Sequence, residues 1–151
     1  MSELAQIHSL LKLGRVEIGQ MMADLAELNA LIGTVEIQEA NAGEEIAAAE
    51  SAYRALLRQD LSPLMLEQLS LITDSIAYSE KRQVELQAEL AGLRERASVL
   101  KGSIQRRDGK CKKYEERIGQ LRKDTERRHE RRLDCLGEEH FLTTWAAHES
   151  G

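Results

Sequence analysis

Aromatic side chains are scarce in this chain of 151 residues. Tyr53, Tyr78, Tyr114, Phe141 and Trp145 are the whole set, 3% of the sequence. Aromatics carry much of the core area of compact folds, so this scarcity argues against a compact all-β or α/β domain. There is one proline, Pro63, and the turn signals that a β-sandwich needs are missing. The two cysteines, Cys111 and Cys135, make no disulfide framework. On one helix, at ~1.5 Å per residue, they would stand about 36 Å apart, beyond the reach of a disulfide. Reduced thiols fit a cytosolic protein. No apolar run approaches the ~20 residues of a membrane span. The start, Met1-Ser2-Glu3, lacks the basic segment and apolar run of a cleaved signal peptide.

Catalytic patterns are missing too. There is no glycine-rich phosphate loop and no strand to launch one. His129-Glu130 opens like a helical zinc-protease motif, but Leu133 stands where the second histidine belongs. His129, Cys135, His140 and His148 lack the paired spacing of a zinc site. No enzyme activity, metal or cofactor is expected.

What the chain does have is charge and a regular apolar repeat. Charged residues make up 31% of it, and the net charge of -5 is unevenly spread. Residues 1–100 carry net -8, residues 101–133 net +7 and residues 134–151 net -4. The basic block is therefore local, in an otherwise acidic protein.

Apolar residues recur in alternating steps of three and four. One series runs from Leu4 through Ile7, Leu11, Gly14, Ile18, Met21, Leu25, Leu28, Ile32, Val35, Glu39, Ala42, Ile46, Ala49 and Tyr53 to Leu56, and 14 of its 16 positions are apolar. A second runs from Leu69 through Ile72, Ile76, Ser79, Gln83, Leu86, Leu90, Leu93, Ala97, Leu100, Ile104, Arg107, Cys111, Tyr114 and Ile118 to Leu121, with 13 of 16 apolar. A 3.5-residue repeat held this long demands a partner helix. Between the series lies Ser62-Pro63, a capping residue followed by proline at a first helical position.

The pattern predicts an all-α fold: a long antiparallel two-helix coiled-coil hairpin forming one domain over 1–151. Helix one is expected over 3–59, the turn over 60–63, helix two over 64–136 and a tail over 137–151. Positions that pair should have numbers adding to roughly 123, which sets Leu28 facing Leu93. Past Leu121 the same phase gives Thr125, Arg128 and Arg132, so the seam turns polar where helix one runs out. A self-folded hairpin whose second helix overhangs explains this, and the chain is expected to be monomeric in isolation. Glycines at 14, 19, 33, 43, 92, 102, 109 and 119 each cost about 1 kcal/mol against alanine in a helix.

The overhang carries Arg122, Lys123, Arg127, Arg128, Arg131 and Arg132. Read blandly, it is a solvated helix with i,i+4 ion pairs. Read functionally, it is a docking face for an acidic partner. Base-stacking aromatics are nearly absent there, so no nucleic acid is expected. Phe141 and Trp145 stand one helical turn apart, either in a frayed end, packing back near Ile7 and nearby apolars, or anchoring in a partner pocket. These eight residues are the candidate partner-binding set.

The layout resembles the stalk proteins of type III secretion systems, the family of YscO, InvI and flagellar FliJ. Leu4-Ala5-Gln6-Ile7-His8-Ser9-Leu10-Leu11 is similar to the family's start. Leu61-Ser62 with Leu66-Glu67-Gln68-Leu69 resembles its turn and the entry to its second helix. Lys112-Lys113-Tyr114-Glu115 through Arg131-Arg132 resembles its basic stretch, and Glu138-Glu139-His140-Phe141-Leu142 the ending of its virulence branch. The start is less basic than usual, with only Lys12 and Arg15 before Arg54. The resemblance implies a non-enzymatic, cytoplasmic central stalk. Such a stalk sits in the hole of a hexameric export ATPase and links it to the export gate protein of the inner membrane. Some members bind secretion chaperones. A generic coiled-coil adaptor or tether is the alternative, followed by a nucleic-acid-associated regulator.

Overall fold

The computed structural model describes residues 2–60 and 62–149. Two helices account for nearly all of them: α1, Glu3–Leu57, and α2, Pro63–Glu149. Both begin on a serine cap. The Ser2 hydroxyl accepts the Ala5 N–H at 3.2 Å, and Glu3 follows in the first turn, where a carboxylate suits the positive helix end. The Ser62 hydroxyl accepts the Met65 N–H at 3.3 Å, and its carbonyl accepts that of Leu66 at 3.1 Å. Pro63 then opens α2, losing nothing by its missing N–H. The end of α1 is closed by a tight bond from the Gln59 N–H to the Leu56 carbonyl, 3.2 Å. Of the expected turn, Leu61 lies outside the described residues.

The described chain packs as two units, one made of residues up to Gly19 with those from Gln105 onward, the other of Gln20–Ile104. In each unit a stretch of α1 lies against an antiparallel stretch of α2.

In the second unit the core is Val35, Ala42, Leu86, Leu90 and Leu93, with Leu28 and Ile32 packed against it. Leu28 and Leu93 belong to one cluster, but direct neighbours across the seam, Gly14 with Cys111 and Glu39 with Gln87, have numbers adding to 125 and 126, slightly above the expected 123. Leu86, at 1% exposure, is the most deeply enclosed; burying a leucine contributes about 1.5–3 kcal/mol. Glu36 and Arg94 pair beside the seam at 3.1 Å. Glu39, a carboxylate in a seam position, accepts a hydrogen bond from Gln87 at 3.2 Å.

In the first unit the core is Leu11, Cys111 and Ile118, flanked by Leu4, Ile7, Ile18 and Tyr114. Three ion pairs cross between the helices. Arg15 meets Glu115 at 2.5 Å, and Arg117 holds Glu3 through Nε at 3.1 Å and Nη2 at 2.8 Å. Arg107 meets Glu17, and this last pair explains a break in the apolar seam. Arg107 occupies a seam position, but its guanidinium turns aside to a glutamate oxygen shielded from solvent. The arginine stem can cover apolar surface while its head is paired.

Two corrections concern the ends of the helices. α1 stops at Leu57 rather than 59, and α2 starts at Pro63 rather than 64. More important, the expected tail over 137–151 is helical through Glu149, so α2 does not end at 136. Gly137 costs about 1 kcal/mol, but no proline follows it. The Thr143 and Thr144 hydroxyls bond back to the Glu139 and His140 carbonyls at 2.8 Å each, which keeps them inside the helical pattern. The Arg107-Asp108-Gly109-Lys110 stretch is helical as well, and Lys112 pairs with Asp108 across Gly109 at 3.0 Å.

Candidate partner-binding surface

The apolar seam of α2 has its last half-buried residue at Leu121, and every residue from 122 to 148 is exposed. At ~1.5 Å per residue this is about 40 Å of helix with nothing packed on it. α1 begins at Glu3, and the pairing of Glu3 with Arg117 has already used its first turn.

All eight candidate residues lie on this segment. Arg122 is nearest the packed part, beside His8, Leu11, Arg15, Glu115, Ile118 and Gly119. Lys123, Arg127, Arg128, Arg131 and Arg132 follow, all exposed. Asp124, Glu126 and Glu130 stand among them. Among the described residues, no ion pair within 4.0 Å involves any of these nine side chains. The i,i+4 ion pairs of the bland reading are therefore not formed among the described residues.

Phe141 and Trp145 are 67% and 54% exposed. They do not pack back on Ile7, which sits in the cluster of Leu11, Cys111 and Ile118. Three further residues join them: Leu133, Leu136 and Leu142 are 55–61% exposed. At roughly 100° per residue, Leu133, Phe141, Trp145, Leu142 and Leu136 fall at about 0, 80, 120, 180 and 300° around the axis. They are spread around the helix, with a widest gap of about 120° between Leu142 and Leu136. Asp134, Glu138, Glu139, His140, Thr143 and Thr144 stand between them, so the segment mixes large apolar groups with polar and acidic ones around its axis. Gly137 leaves a notch between Leu133 and Phe141, with Asp134, Glu138 and Leu142 around it.

These three leucines were not among the expected site residues. Their spacing follows no single seam, so periodicity did not select them. The signal available was the density of apolar side chains in a stretch with no partner helix.

Among the described residues no three His, Cys, Asp or Glu side chains come together in a group able to hold a metal ion. No helix among them is long and apolar enough to cross a membrane. No family model, no curated protein and no solved structure matches the chain.

Proposed function

We propose that this protein is the non-enzymatic central stalk of a bacterial type III secretion export apparatus, linking the hexameric export ATPase to the export gate in the inner membrane. The observation that carries the reading is the α2 segment 122–148. It is helical and exposed throughout, basic in its first half, and in its second carries Leu133, Leu136, Phe141, Leu142 and Trp145 among acidic and polar residues. Such a segment suits a partner that surrounds it, as the hole of a ring does, with acidic groups near its mouth to meet Arg122–Arg132. The helical hairpin, the basic last third and the acidic, aromatic ending add the sequence layout of the stalk family.

The test is cosedimentation with a purified hexameric export ATPase. The parent chain is expected to bind in a salt-sensitive way, because exposed charges are screened over about 8 Å at physiological ionic strength. Changing Arg127, Arg128, Arg131 and Arg132 together to Glu should abolish binding, while thermal melting of the hairpin stays unchanged. Equal binding by parent and variant would contradict the reading. If the variant instead loses binding to DNA or RNA that the parent shows, the block serves nucleic acid.

A further inference from the structure

A second unpartnered surface lies in the other unit, before the overhanging segment in sequence. Leu28 and Leu31 of α1 and Val99 and Leu100 of α2 form the floor of an open groove. Leu31 is 45% and Val99 62% exposed; Leu28 and Leu100 are half-buried at the edge of the seam. Leu31 and Val99 each precede a seam residue, Ile32 and Leu100, so the apolar surface spills out of the coiled coil on this side.

The rim is acidic. Asp24 and Glu27 border the groove from α1 and Glu95 from α2, against one cation among the lining residues, Arg96. Among the described residues none of these three carboxylates has an ion pair within 4.0 Å. On the α1 side the setting deepens the charge, whereas on the α2 side Arg94, Arg96 and Lys101 flank Glu95. From residue 16 to 53, α1 has no lysine or arginine and eight acidic residues.

We propose that this groove docks a basic amphipathic helix of a partner protein. Apolar side chains at i, i+3 or i+4 and i+7 of that helix would lie between Leu31 and Val99, and its lysines or arginines would meet Asp24, Glu27 and Glu95. Leu28 and Leu31 sit one turn apart, as do Val99 and Ser103, so the floor runs along the helices. A third helix laid there would pack as helices do, at 8–10 Å between axes. The carboxylates repel nucleic acid and anionic lipid head groups alike. This inference is independent of the stalk reading, since it concerns residues 24–31 and 95–103 and not the segment after Leu121.

The probe is a labelled synthetic peptide of four helical turns, with leucines on one face and lysines on the other. It is titrated against the full chain at physiological ionic strength. Leu31→Ser with Val99→Ser, and separately Asp24→Lys with Glu27→Lys, should each weaken binding about tenfold or more, the loss expected from hot-spot residues. A control with the same charge change elsewhere on α1, Glu44→Lys with Glu45→Lys, should stay within about twofold of the parent. Amide hydrogen exchange on the unaltered chain gives a second measurement that does not depend on the variants folding. The peptide should slow exchange in 24–31 and 95–103. An equal loss in the control, a footprint elsewhere, or no binding at all would overturn the proposal. So would concentration-dependent self-association removed by Leu31→Ser with Val99→Ser, because the groove would then be an interface between copies.

Discussion

A Cβ atom placed on Gly14 would stand 2.7 Å from the sulfur of Cys111, closer than side chains approach one another. Glycine occupies this seam position because the helices run too near each other for any side chain opposite Cys111. Gly14 is buried and Cys111 is 4% exposed, so neither can turn into solvent to make room.

Gly14→Ala is therefore expected to destabilise the chain, although alanine favours a helix by about 1 kcal/mol. Overpacking a filled seam costs about 1–3 kcal/mol, and the net loss should be near 1 kcal/mol. In a Cys111→Ala background the overlap disappears, and Gly14→Ala should become neutral or stabilising. Urea denaturation of the four proteins measures the coupling, expected at about 1–2 kcal/mol. Additive effects would mean that the two residues do not touch.

The opposite outcome is expected at glycines with open surroundings. A Cβ on Gly19, Gly33 or Gly92 meets nothing within 4 Å. Alanine at each should stabilise by about 0.5–1 kcal/mol through helix propensity alone. A destabilising Gly33→Ala would reveal a neighbour that the hairpin does not contain.

The two thiols should separate in reactivity. Cys111 is buried in the cluster with Leu11 and Ile118, whereas Cys135 is exposed on the bare part of α2. A thiol reagent should titrate one cysteine quickly in the native chain and the second only after unfolding. Cys135→Ser should remove the fast phase. Two equally fast thiols would place Cys111 outside the core.

The seam was the most legible part of the fold. Every position of the first series, Leu4 to Leu56, is buried or half-buried, and the second series is too except at Arg107. Arg107 departs because its charge is satisfied sideways by Glu17, a choice that spacing alone does not encode. The end of the packed region at Leu121 was also readable, since an apolar series stops where its partner helix begins. The ion pairs beside the seam were not. Arg15–Glu115 and Glu36–Arg94 both have residue numbers adding to 130, but many other opposite charges flank the seam at similar offsets. The helical end of α2 was hidden by Gly137, which reads as a stop although a single glycine costs too little to end a helix. Of the candidate surface, the cations and the two aromatics were visible as composition. Leu133, Leu136 and Leu142 were not, because residues placed all round a helix carry no period.

The central claim is that residues 122–148 wait for an enclosing partner, and amide hydrogen exchange with and without a hexameric export ATPase tests it most directly. In the free chain these amides should exchange much faster than those of the paired seam, because no tertiary contact protects them. With the ATPase present, the account predicts protection across 122–148, Phe141 and Trp145 included, slowing exchange by about tenfold or more. Unchanged exchange in this segment, while the ATPase is present in excess, would contradict it.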